Sequence, residues 1–149
     1  MRQLFTLCLV LGLIHSAHAA EPAAPSAAVL VKDAWVRLPP PGAEIGVVYL
    51  TLEAKQRTAL ISAQSPSAET VELHNMTMNK GVMEMRQLTT LPLQAGKPVK
   101  LEPGGLHLML INLKKPLKLG DQVQLDLNFS GGKKTTETIR VQAAVRAAH

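Results

Sequence analysis

Turn residues punctuate this chain from end to end, too often for long helices to form between them. Pro39-Pro40-Pro41-Gly42, Ser65-Pro66-Ser67, Asn79-Lys80-Gly81, Ala95-Gly96-Lys97-Pro98, Pro103-Gly104-Gly105, Leu119-Gly120-Asp121 and Gly131-Gly132 divide it into short apolar runs. Gly reaches positive φ freely and Pro pre-sets φ, which tight turns need, and both are costly inside helices. With ten Gly and ten Pro in 149 residues, few helical windows remain. Punctuation this regular predicts an all-β sandwich or barrel. The length suits one domain of ordinary size, and an apolar share of 46% is enough to fill its core.

The clearest strand is Gln122 to Phe129, where Val123, Leu125, Leu127 and Phe129 alternate with polar residues, so that one face is buried and the other wet. Ile139, Val141 and Ala143 repeat the alternation and supply a hairpin partner across the Gly131-Gly132 turn. Val47 to Leu52 is apolar on both faces, as a central strand would be. Further strands are expected over Val29 to Arg37, Leu60 to Ala63, Val71 to His74, Val82 to Leu88, Val99 to Leu101 and Leu106 to Ile111. The domain is expected to run from residue 29 to 143, with Ala144 to His149 as a frayed tail.

The amino terminus reads as an address. Arg2 gives a positive start, Leu4 to Ile14 is an apolar run too short to span a bilayer, and Ala17-His18-Ala19 is a small-x-small cleavage site. Residues 1–19 are thus expected to be a secretory signal peptide, followed by a flexible leader over 20–28, rich in Ala and Pro. Cleavage would lower the net charge from +5 to +4, because Arg2 is the only charged residue removed, and would also remove Cys8, the single cysteine. An exported protein without cysteine has no disulfide, no thiolate nucleophile and no thiolate metal ligand. Blue-copper electron transfer, which requires a cysteine ligand, is excluded with them. Nucleic acid is a poor partner for the basic surplus, since Lys114-Lys115 and Lys133-Lys134 sit in turn-like surroundings without interleaved aromatic residues.

Soft metal ligands are the most informative residues. After cleavage only His74, His107 and His149 and only Met76, Met78, Met83, Met85 and Met109 remain, and all but His149 fall in two short stretches. In Leu106 to Ile111 the leucines share one face, and His107 and Met109 share the other. His74 lies on the polar face of its strand, and a two-residue turn at Asn79-Lys80 would set it opposite Met85. Met76 and Met78 read as loop residues near the site, and core packing is the competing role for Met83 and Met85. Two imidazoles and two thioethers, His74, Met85, His107 and Met109, would form a neutral site favouring Cu(I), because thioether sulfur is a soft ligand.

The spacing of those four residues resembles the signature of the PCu(A)C family of bacterial periplasmic copper chaperones. Ten residues separate His74 from Met85, twenty-one separate Met85 from His107, and Met109 completes a His-x-Met. Ala34-Trp35-Val36-Arg37, Tyr49-Leu50-Thr51-Leu52, Ser65-Pro66-Ser67-Ala68, Val71-Glu72-Leu73-His74, the stretch from Pro103 to Leu110 and that from Gly120 to Phe129 are also similar to the family. The resemblance covers residues 30 to 142. It implies a cupredoxin-like Greek-key β-sandwich, a Cu(I) site at those four residues, and a periplasmic, non-enzymatic chaperone. It further implies delivery of copper toward the CuA centre of cytochrome c oxidase together with a Sco-type thiol protein. Some relatives carry a His- and Met-rich carboxy-terminal extension, which the Ala-Ala-His end here does not resemble.

Three other functions compete with that expectation. A periplasmic copper store would use the same site and differ in where the metal goes. A secreted copper oxygenase needs an amino-terminal histidine. Cleavage after Ala17 would expose His18, but would put His15 where a small residue is required. An adhesion or assembly module would leave the His and Met residues incidental, since β-sandwiches host many functions.

Overall fold

A computed structural model of the chain describes residues 28–130 and 136–147. The expected signal peptide, nearly all of the leader, the Gly131-Gly132 turn and His149 lie outside the described residues. The alternating segment forms β9 (Gln122–Ser130), whose inward residues Val123, Leu125, Leu127 and Phe129 are all buried. It pairs in an antiparallel hairpin with β10 (Thr136–Arg146). The apolar-on-both-faces segment forms β2 (Ile45–Ala54), with β1 (Val29–Arg37) on one side and β7 (Val99–Leu101) and β8 (Leu106–Leu113) on the other.

The remaining strands are β3 (Thr58–Gln64), β4 (Ala68–Asn79), β5 (Val82–Leu88) and the short β6 (Leu91–Leu93), which the sequence pattern did not reveal. Neighbours run β5-β4-β8-β2-β1-β10-β9-β3-β6, and β3 pairs with β4 again at Ala63 and Val71. The sheet therefore closes on itself as a flattened all-β barrel, the cupredoxin-like sandwich anticipated above. Leu50, Leu52, Leu60, Leu93, Leu108, Leu110 and Val48 meet the β9 side chains in one core, which contains no methionine. Among the described residues no helix is long and apolar enough to cross a membrane.

Two expectations are corrected. Ala144 to Arg146 do not fray: they extend β10 and pair in parallel with Trp35 to Arg37 of β1. Val145 is buried, and its backbone N–H and C=O bond to the Asp121 carbonyl (2.8 Å) and the Gly120 N–H (3.0 Å). The register of β4 and β5 also differs by two residues. Their turn is Lys80-Gly81, with φ of 48° and 83°, so Asn79 faces Val82, Met76 faces Met85, and His74 faces Gln87. A two-residue hairpin turn of this hand needs positive φ at both centres, and only with Gly81 inside it does one centre escape strain. Strand β4 runs to Asn79, so Met76 and Met78 belong to it rather than to a loop.

Deleting Ala144–His149 should therefore lower stability by about 2 kcal/mol or more, the scale of one buried Val with its backbone bonds, as read by urea unfolding. A frayed tail would give no change. Leu127→Ala, at a fully buried position, should cost about 2–5 kcal/mol in the same assay.

Candidate metal centre

The candidate ligands come together on the outer face of β4, β5 and β8. Leu73, Leu108 and Leu110 point into the core, and period-2 alternation then sends His74, His107 and Met109 outward. His74 stands directly opposite His107 across the β4–β8 pair, and Glu72 stands opposite Met109. The two imidazoles are near-parallel, with ring centroids 5.8 Å apart and planes at 29°. Met109 on β8 and Met85 on β5 are both diagonal neighbours of His74, a separation of about 7–8 Å between backbones that long side chains span. His74 is therefore the hub of the set. The backbone brings His74, His107 and Met109 into one patch, and it places Met85 on the adjoining edge strand, opposite Met76 instead of His74.

Burial divides the donors. His107 is only 4% exposed, although it points away from the core. It sits on a strand flanked by β4 and β2, so side chains of two neighbours wall it in, which alternation along β8 alone could not indicate. His74 is largely sheltered as well. Met85, by contrast, is 48% exposed and Met83 is 59% exposed, so neither serves as core filler. The same outer face continues past Met109 to Val47 on β2, and the Tyr49 ring there lies 4.8 Å from that of Trp35.

Hydrogen bonds fix which nitrogen of each ring is free. His107 Nδ1 lies 2.9 Å from the Gly105 carbonyl, which can only accept, so Nδ1 carries the proton and Nε2 of the neutral ring keeps its lone pair. Gly105 O also accepts the Met76 backbone N–H at 3.1 Å, which ties β4 to the start of β8. His74 Nε2 donates to Glu72 Oε2 at 2.8 Å. The opposite nitrogen, His74 Nδ1, is buried and finds no hydrogen-bond partner among the described residues. A buried, partnerless polar atom is costly and calls for an explanation, and a missing ion is one such explanation. The carboxylate–histidine arrangement is the usual second shell of a metal-ligating imidazole.

Glu72 and the Gly105 carbonyl were not singled out by sequence reasoning. The signal for Glu72 was available in Glu72-x-His74, since residues two apart on a strand share a face. The carbonyl contact depends on how the Pro103-Gly104-Gly105 turn enters β8, and no residue type announces it.

Comparison with known proteins identifies the family. Residues 29–141 match the LpqE-like family, described as "Putative lipoprotein LpqE-like". A curated protein of Leifsonia xyli subsp. xyli, named "Putative lipoprotein Lxx21020", is 27% identical over 148 residues, covering 95% of this chain and 89% of that protein. The apo solution structure of DR1885 from Deinococcus radiodurans is 30% identical, with a TM-score of 0.63 and coverage of 98% of this chain and 97% of that one. A Cu(I) form of DR1885 also matches, at 29% identity and a TM-score of 0.55 over 86% of this chain and 83% of that one. The copper-bound PCuAC domain of PmoF2, at 22% identity, shares the fold with a TM-score of 0.64 over 82% of this chain and 95% of that domain. Cu(I) binding thus occurs among these proteins. The sequence match over most of the chain and the shared architecture place this protein in the LpqE-like family, of PCu(A)C type.

Proposed function

We propose that this protein is an exported Cu(I) carrier without catalytic turnover, which binds one ion through His74 Nδ1, His107 Nε2 and the thioethers of Met85 and Met109. The observation that carries this reading is the pair of stacked imidazoles, each held in a tautomer with one free lone pair, one of those lone pairs being buried without a partner. Thioether sulfur beside imidazole nitrogen selects Cu(I) over divalent ions that favour oxygen ligands or thiolates. The four ligands are neutral, and the Glu72 carboxylate on His74 supplies a negative charge that balances the single positive charge of the ion.

The division of burial suits a carrier. Sheltered imidazoles hold the ion, and the exposed Met85 is the ligand that an incoming thiolate displaces, the copper staying monovalent throughout. The proposed route leads through a periplasmic Sco-type thiol protein toward the CuA centre of cytochrome c oxidase. The lipoprotein description of the family and the amino-terminal apolar run support export to the periplasm.

An anaerobic Cu(I) titration against a competing chelator tests the site. His74→Ala, His107→Ala, Met85→Leu and Met109→Leu should each weaken binding, and Met85→Leu should leave thermal unfolding unchanged because the side chain is exposed. Unaltered affinity in all four variants would overturn the assignment. Glu72→Ala should weaken binding by about 10–100-fold, the usual effect of losing a second-shell partner. Nitrogen NMR of the metal-free protein at pH 8 should report His74 protonated at Nε2 and His107 at Nδ1; the reverse tautomers would contradict the geometry. Loss of the gene should starve oxidase of copper, whereas copper sensitivity with normal oxidase would replace delivery by storage.

A further inference from the structure

Four methionines occupy the β4–β5 hairpin, and only Met85 has a part in the centre described above. Met76, Met78, Met83 and Met85 alternate with Thr77 and Glu84, so period-2 geometry puts all four on one face, that of His74. They form two cross-strand rungs, Met76 with Met85 and Met78 with Met83. The Met76 N–H is spent on Gly105 O, just before β8, so Met76 and Met85 form a non-hydrogen-bonded pair, the type whose side chains approach closest. Two residues further, Met78 and Met83 repeat that geometry. The rungs are spaced by about 7 Å along the strands, within reach of unbranched side chains with three rotatable bonds.

Packing does not account for them. Met78 is 66% exposed and Met83 59%, and none of the described methionines enters the hydrophobic core. Edge strands are ordinarily blunted with charge, yet the outward face of edge strand β5 presents Met83, Met85 and Gln87. Of the charged side chains near the rungs, Glu84 and Arg86 pair with each other on the opposite face at 3.3 Å and Lys80 is in the turn, while Glu72, further along the methionine face, is bonded to His74.

We propose that this hairpin is a second metal site, an all-thioether ladder that captures a soft monovalent ion, Cu(I) or Ag(I), before it reaches the histidines. A neutral sulfur-only surface offers little to hard divalent ions and holds a soft one loosely. Met85 is common to the ladder and to the histidine centre, and it lies diagonal to His74, so an ion on the lower rung moves inward by exchanging sulfur for nitrogen with no change in oxidation state. Capture stands on the register and exposure alone; the inward hand-over rests on the proposed function.

Silver(I), which is redox-inert here, gives the test, with methionine methyl NMR as the readout and the full chain in three forms. Wild type should take up two equivalents, the weaker one shifting the Met78 and Met83 methyl signals. Met78→Leu/Met83→Leu, volume-conserving and exposed, should lose the weaker equivalent and keep the stronger. His74→Ala/His107→Ala should lose the stronger and still shift the Met78 and Met83 signals. Methyl signals of Met78 and Met83 that stay fixed with excess silver, or an unchanged stoichiometry in the double leucine variant, would overturn the ladder. Failure of the histidine reading would show separately, as two-equivalent binding that the histidine substitutions do not alter. Zinc(II) run in parallel should leave the ladder signals in place, and equal shifts with zinc would also overturn the proposal.

Discussion

The alignment of β4 with β8 is the constraint on which the rest of this structure depends. Strand side chains alternate strictly, so sliding one strand by a single residue would carry its leucines to solvent and its histidines into the core. Burying Leu73, Leu108 and Leu110 forbids that slip. The same packing that stabilises the barrel therefore sets His74 against His107 and Glu72 against Met109. Closure of the sheet, through β3 onto β4 and through β10 onto β1, holds both strands in place.

From that registry follows a gradient across one face. The candidate nitrogen donors sit on interior strands and are sheltered, and each ring is oriented by the hydrogen bond that its far N–H donates, to Glu72 in one case and to the Gly105 carbonyl in the other. Of the candidate sulfur donors, Met109 stays on interior strand β8, whereas Met85 lies on edge strand β5, and the methionines become more exposed from Met85 through Met83 to Met78 at the hairpin tip. Imidazole needs a fixed tautomer to ligate and gains from rigidity, whereas a thioether has no proton to lose and adapts by rotation. A carrier is suited by this order, with firm ligands inside and replaceable ones where a partner can reach them.

Much of the fold was legible because punctuation and alternation are local properties. Val29–Arg37, Val82–Leu88 and Val99–Leu101 are strands with the bounds expected, and β9 buries the residues its alternation named. Three features were misread for identifiable reasons. The β4–β5 turn was placed one residue early, because which two residues take positive φ is decided by where glycine removes strain. The loop expected at Met76 and Met78 is instead strand, because β4 runs on to Asn79. The frayed end was expected because the last residues of a domain are ordinarily poorly ordered unless tied down, and here Val145 is tied down by Asp121 and Gly120 from a distant turn.

The residues by themselves determined an all-β architecture and a concentration of soft donors in two stretches, since turn chemistry and ligand softness belong to individual side chains. They could not determine how deeply each donor sits or which ring nitrogen is free. His107 points away from the core and is still buried, on a strand flanked by β4 and β2, and those strands are remote from it in sequence. The buried lone pair of His74 exists only once a carboxylate and a facing strand have closed around it. Burial and tautomer are properties of what surrounds a group, and only the closed barrel supplies those surroundings.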